Sequence, residues 1–377
     1  MNIYMSLSFL IKGQGVFLFK NKENYIKLIF CDKQEKNILK LVICDSVVLY
    51  HDSKKYIDTK NKTGVVHSHG AYYWVSINAQ TQQIYVGVGE PRLETVIYEC
   101  KMEKTDKLFL ESLSHIKYDE ITTNIWKIFK DPITNVVPLL IKNTNELSMN
   151  DIANAKYIPK ANLSLTSQKL YDCISGEKFI LNDNDFPEFS QAIENSISTP
   201  GLWCNTKLLS KSKEFNPDKP NIKETYLRIT LGENNGESPG IPYVMEIWPS
   251  NHYSPIHSHA NSSAIIRVLY GSIHVRLYPF LCAEKDGIDP FGETDFKEND
   301  ITWLSPTLNQ THQLINNENK TCITIQCYMY EDDNKRHYDY FDYLDKDCYK
   351  KQYEPDSDMD FITFKELMKT EWSQVNK

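Results

Sequence analysis

Ser254-Pro255-Ile256-His257-Ser258-His259, followed by Ala264 and Gly271, is the stretch on which the fold turns. Two histidines at i and i+2 of one strand project to the same face, because side-chain direction repeats every two residues. A further histidine, His312, lies downstream in an extended apolar setting, where a neighbouring strand brings it alongside. Neutral imidazole is a ligand for iron, zinc, copper or nickel. Three protein nitrogens leave positions open for a substrate and for a small molecule such as dioxygen. The pattern predicts a metal site inside a small β-barrel, held by His257, His259 and His312.

Composition sets outer bounds. A chain of 377 residues has room for two domains, or for one with a large extension. Its net charge of −8, with no long basic run, argues against a nucleic-acid partner. The acidic residues Glu331-Asp332-Asp333, Asp339, Asp342, Asp345 and Asp347 read as solvated surface. Nine dispersed cysteines without a C-x-x-C pair read as reduced thiols. The apolar run Leu7-Ser8-Phe9-Leu10-Ile11 is short and has no basic leader. No segment approaches the roughly 20 apolar residues that span a bilayer. A cytoplasmic protein with no membrane partner is therefore expected.

Residues 1–130 read as a β-rich domain. Val16–Phe19, Tyr25–Phe30, Ile38–Ile43, Val47–Tyr50, Tyr72–Ile77 and Gln83–Val88 are strand-like runs between polar turns. Their regular spacing predicts a sandwich. The hairpin carrying Tyr73-Trp74-Val75-Ser76-Ile77 and Tyr85-Val86-Gly87-Val88-Gly89 resembles the farnesoic acid O-methyltransferase-type β-sandwich, a non-catalytic module. This domain is expected to bind a protein or glycan partner. Residues 131–205 read as transitional, with helical periodicity at Asn150–Ala155 and Phe186–Ile197. Lys211–Lys223 reads as a loop, and residues 206–345 as a strand-dominated barrel. The tail 346–377 carries an amphipathic helix over Phe361–Trp372, with Phe361, Phe364, Leu367 and Met368 on one side.

The spacing around His257-Ser258-His259 and Gly271 is similar to the cupin pattern, with Ala264 where that pattern has a glutamate and Asn251 where it has a first glycine. The flanks resemble the cysteine dioxygenase (thiol dioxygenase) family over about residues 168–345. Tyr226-Leu227-Arg228 is similar to that family's Tyr-x-Arg. Tyr243-Val244-Met245-Glu246-Ile247-Trp248-Pro249 and the histidine stretch resemble its metal-binding strand pair. Asp300–Leu304 before Thr311-His312-Gln313-Leu314 is like its third-histidine region, and Thr324-x-Gln326-x-Tyr328 is like its Ser-x-His-x-Tyr strand. Trp203 after Thr199-Pro200 fits its helical N-terminal portion.

The resemblance implies a double-stranded β-helix (jelly-roll) barrel in a mostly β protein. It implies Fe(II) on His257, His259 and His312. Arg228 and Tyr226 would bind substrate, and Tyr328 and Arg228 would be catalytic, with Thr324, Gln326 and Ala264 behind them. The implied reaction is dioxygenation of a small thiol carboxylate, cysteine first and 3-mercaptopropionate second, to the sulfinic acid. Three residues depart from the family. Ala264 cannot form the thioether to the tyrosine that animal-type members carry. Gln326 stands where a histidine orients that tyrosine, and Met329-Tyr330 replaces a Ser-Pro pair. The alternative reading is a non-catalytic binding or structural protein that retains a metal. A third reading, oxidation of a peptide's N-terminal cysteine, is disfavoured by Arg228.

Other residues take blander readings. His67-Ser68-His69 has no matching third histidine and reads as a surface strand end, with His115 in a loop or helix. His252 and His274 are expected behind the site or at the surface, and Cys322 and Cys327 as buried apolar residues. Tyr338–Tyr343 reads as a cover over the barrel mouth or as a surface helix or loop.

Overall fold

The computed structural model describes residues 4–21, 25–36, 38–44, 46–51, 54–57, 72–120, 123–231, 243–283, 288–330 and 340–375. His67-Ser68-His69, Glu331-Asp332-Asp333 and Tyr338-Asp339 lie outside them. The chain divides into two compact units, Met1–Val136 with Cys282–Glu284, and Val137–Leu281 with Lys285–Lys377.

In the first unit the strand-like runs become two antiparallel sheets. A six-stranded sheet has the order Tyr4–Ser8, His115–Asp119, Ile26–Cys31, Ile38–Ile43, Val47–His51, Lys54–Ile57. A five-stranded sheet has the order Thr123–Phe129, Gln14–Asn21, Tyr72–Asn78, Gln83–Val88, Val96–Lys101. Phe17 of one sheet and Phe30 of the other meet with ring centroids 5.6 Å apart, so the two faces share an aromatic core. The predicted hairpin forms with Trp74 opposite Gly87. A Cβ on Gly87 would sit 2.1 Å from the Trp74 ring, so only glycine fits beneath the indole. His115 lies on a strand, not in the expected loop or helix, because its segment pairs with Ile26–Cys31 on one side and Tyr4–Ser8 on the other.

The second unit is built from two further sheets. The larger has the order Tyr157–Pro159, Leu140–Lys142, Ile301–Leu304, Ser263–Tyr270, Cys322–Met329, Tyr243–Trp248, Leu227–Leu231, Met359–Asp360. The smaller has the order Gly292–Lys297, Ser272–Tyr278, Thr311–Ile315, His257–Ser258, Phe341–Leu344, Lys350–Tyr353. From Tyr243 to Met329 the chain passes repeatedly from one sheet to the other, which is the winding of a double-stranded β-helix. Among the described residues the ladders stay as two sheets and do not close into one ring. Residues from Val137 onward that read as transitional supply strands and helices to this unit.

Both faces of the larger sheet are buried, so its strands read as nearly continuous apolar runs. The outer face, with Leu227, Ile229, Met245, Ile247 and Ile323, packs under the helices Phe189–Ser198, Trp203–Lys211 and Phe361–Val375. The inner face meets the smaller sheet through Trp248, Val268 and Cys322 against Ile273, Val275, Leu277 and Leu314. Period-two alternation therefore turns Arg228, Glu246, Gln326 and Tyr328 inward, between the sheets. The turn at Gly271 needs glycine twice over. Its φ is +76°, and a Cβ there would lie 2.6 Å from the Thr321 carbonyl oxygen.

Candidate metal centre

His257 stands on a two-residue strand directly opposite His312 on the neighbouring antiparallel strand. His259 lies just past the strand end, not within it, and a tight turn fixes it. The Ser262 N–H donates to the His259 carbonyl at 2.9 Å. Ala260 (φ 50°) and Asn261 (φ 61°) between them both take the left-handed conformation. For non-glycine residues this costs roughly 1–2 kcal/mol each, so surrounding contacts must impose it. Gln310 is one of them. Its Oε1 accepts from the Asn261 N–H at 3.0 Å, and its Nε2 donates to the Ser262 carbonyl at 2.8 Å. The turn that holds His259 is thereby tied to the loop that delivers His312.

The ring nitrogens are sorted by backbone carbonyls. His257 Nδ1 lies 3.0 Å from the Pro255 oxygen, and His312 Nδ1 lies 3.2 Å from the Asn309 oxygen. A carbonyl only accepts, so each Nδ1 carries the hydrogen and each Nε2 keeps its lone pair. These are the outer hydrogen bonds that orient metal-binding histidines. His259 Nε2 faces His312 Nε2 at 3.0 Å, while the buried His259 Nδ1 has no hydrogen-bond partner. Donor nitrogens of all three residues lie within 4.8 Å of one another. Two nitrogens each about 2.1 Å from one ion, at a right angle, sit about 3.0 Å apart. The His259–His312 pair therefore has the spacing of two ligands on one cation, with His257 as a third donor beside them. Burial keeps the rings neutral, holding His257 down to about 4 and His312 to about 3, with His259 also well below the usual imidazole range.

The histidines open on a cavity of about 50 Å³, also lined by Tyr226, Arg228, Glu246, Gln326 and Tyr328. A single water molecule needs roughly 10–15 Å³, so the space has room for a small ligand in place of several waters. Its other walls are largely apolar, among them Trp248, Val268, Val275 and Leu314. The Phe341 ring packs edge-on against His259, with centroids 4.4 Å apart. Phe341 and Tyr343 belong to a strand paired with His257–Ser258, where a mouth cover, surface helix or loop was expected.

A chain of polar side chains crosses the floor. Arg228 Nη1 donates to Glu246 Oε1 at 2.6 Å, and Gln326 Nε2 donates to Glu246 Oε2. The Tyr328 hydroxyl donates to Gln326 Oε1, and Thr324 Oγ1 lies 3.4 Å from Gln326 Nε2. Arg228 and Glu246 are 4% and 5% exposed, so this is a buried ion pair and not a surface one. Burial raises the Glu246 carboxyl, against the downward pull of Arg228, and raises the Tyr328 phenol far above its ordinary value. Tyr226 stacks on Trp248 with ring centroids 4.2 Å apart. Ala264 is the cross-strand neighbour of Tyr328, and its methyl packs against Tyr328 and Leu304.

Every residue singled out in the sequence for this site thus lies in or directly behind one cavity. Glu246, Asn309, Gln310 and Phe341 are additional. Glu246 has a sequence signal, a lone carboxylate at an inward position of an apolar strand; the other three have none. His252 is half-buried against Thr225, and His274 pairs with Asp295 and Glu293 away from the cavity. Cys322 and Cys327 are fully buried. No described helix is long and apolar enough to cross a membrane.

No known protein-family profile matches the chain. Among solved structures it is similar to the cupin domain of Cnp3 from Schizosaccharomyces pombe, at 10% identity and a TM-score of 0.22, covering 28% of this chain and 65% of that one. It is also similar to TT1209 from Thermus thermophilus, at 14% identity and a TM-score of 0.22, covering 32% and 93%. An oxalate oxidase in complex with the substrate analogue glycolate matches at 15% identity and a TM-score of 0.24, covering 30% and 54%. The double-stranded β-helix of this chain is read from its own strand order.

Proposed function

We propose that the second unit is an iron(II)-dependent thiol dioxygenase acting on a small thiol. The observation that carries this reading is the donor set. Among the described residues the donor group is three buried, neutral histidines with no carboxylate in it, and they share one cavity with Arg228, Glu246 and Tyr328. His257, His259 and His312 would hold the metal, which when bound would supply the dioxygen site and the redox chemistry. The protein's own contribution is placement. The apolar walls exclude water, and the cavity's size restricts a bound thiol to a few orientations. Tyr328, neutral at physiological pH, would hydrogen-bond the ligand while staying fixed through Gln326. The overall change is balanced: R–SH and O2 give R–SO2H, both oxygens go to sulfur, and the hydrogen stays on the acid.

The test is an iron-loaded, anaerobically prepared protein mixed with thiol and ¹⁸O2. Sulfinate carrying both labelled atoms is expected. Bound iron with no sulfinate from any thiol small enough to enter would refute the proposal.

A further inference from the structure

Glu246 determines more than the charge of the cavity. An ionised carboxylate can only accept hydrogen bonds. Its two oxygens receive Arg228 Nη1 and Gln326 Nε2. This settles which way the Gln326 amide points. Its NH2 faces Glu246, so its oxygen faces Tyr328 and accepts the phenolic hydrogen. The chain has one polarity: Tyr328 donates to Gln326, Gln326 donates to Glu246, and Arg228 donates to Glu246 from the other side. With its one hydrogen committed, the Tyr328 oxygen acts toward a ligand only as an acceptor. At the same time the Arg228 charge is balanced by a carboxylate 2.6 Å away, so a second anion would have to compete with a pair that is already buried and hydrogen-bonded.

We propose that Glu246 is the specificity-determining residue of this cavity, and that it selects a small thiol whose other end is an uncharged or cationic hydrogen-bond donor, an amine foremost, over the carboxylate thiol implied by the resemblance. This rests on the thiol reading above. The amine end finds an acceptor in Tyr328 and a neutral ion pair behind it. A carboxylate end finds an acceptor where it needs a donor, and a guanidinium whose charge is already spent. Glu246→Gln inverts both conditions with almost no change of shape. The substituted amide accepts from Arg228 with its oxygen and turns its NH2 to Gln326, which must then flip. Gln326 next presents its own NH2 to Tyr328, and the phenolic hydrogen turns to the cavity.

The experiment uses the full chain loaded with cobalt(II) and reads binding from the thiolate-to-cobalt absorption band, independently of turnover. The probes are 2-aminoethanethiol and 3-mercaptopropionate. The wild type is expected to bind the aminothiol at least about tenfold more tightly, and Glu246→Gln to reverse the order. Tyr328→Phe removes the acceptor offered to the ligand together with the hydroxyl's donation to Gln326, while Glu246 still holds the Gln326 amide, so it should lower aminothiol affinity without raising affinity for the acid. Equal or tighter binding of 3-mercaptopropionate by the wild type overturns the proposal, whatever the variants do. So does an unchanged ratio in a folded, cobalt-loaded Glu246→Gln protein. Failure of both probes to bind would overturn the thiol reading as well, whereas preference for the acid would overturn this inference alone.

Discussion

Breaking the Arg228–Glu246 pair from one side should cost far more than removing it whole. The pair has an Nη1–Oε1 distance of 2.6 Å and exposures of 4% and 5%. With charge centres about 4 Å apart, the Coulomb attraction is about 4 kcal/mol at an effective dielectric constant of about 20. Glu246→Leu strands the guanidinium, and Arg228→Met strands the carboxylate. Each single change should destabilise the unit by about 3–5 kcal/mol. The double variant buries no unpaired charge and loses mainly the acceptor of Gln326 Nε2, a penalty of about 1–3 kcal/mol. The coupling energy should therefore exceed about 2 kcal/mol. Because the chain has two units, global unfolding would mix their transitions. Native-state hydrogen exchange of the paired strands Leu227–Leu231 and Tyr243–Trp248 reads the right unit directly. A coupling below about 0.5 kcal/mol would refute the ion pair as the organiser of the cavity floor.

Three further outcomes follow from the geometry. Gln310→Ala unties the His259 turn from the His312 loop, so metal affinity should fall about 10–100-fold by competition titration; an unchanged affinity would remove Gln310 from the support of the site. Gly271→Ala combines a φ of +76° with a clash against the Thr321 carbonyl, and should destabilise by more than about 2 kcal/mol in the same exchange measurement. Burial lowers the proton affinity of His257 to about 4 and of His312 to about 3. The neutral, ligating form is favoured above these values, so protons should begin to compete with metal only as pH falls well below the ordinary imidazole range near 6.5. Metal loss with a midpoint near pH 6.5 would contradict that burial.

The site was more legible than its surroundings, and the reason is physical. His257, His312, Arg228 and Tyr328 occupy strands whose two-residue period states which residues share a face, and His259 lies just past the end of one of them. In strands buried on both sides, hydropathy does not reveal which face is which, so Ile247 and Trp248 looked alike until helices covered one and the cavity took the other. Glu246 was in view within its strand, but its partner lies across the ladder. The turn at Ala260-Asn261 has no glycine, so nothing local announced its left-handed backbone. His115 and Phe341 were misplaced for a related reason, since each becomes a strand only by pairing with distant segments. In the first unit, the runs at Ile26–Cys31 and Ile38–Ile43, apolar and β-branched between polar turns, could be read directly as strands.

The proposed chemistry depends on His257, His259 and His312 forming one metal centre. The decisive experiment is elemental analysis of the purified chain, dialysed against metal-free buffer after iron(II) loading. About one equivalent of tightly held metal per chain is expected. Loss to background is expected in His257→Ala and in His312→Ala, with the far-ultraviolet circular dichroism of both retained. A wild-type chain that holds no metal, or either variant holding as much as the wild type, would contradict a three-histidine centre.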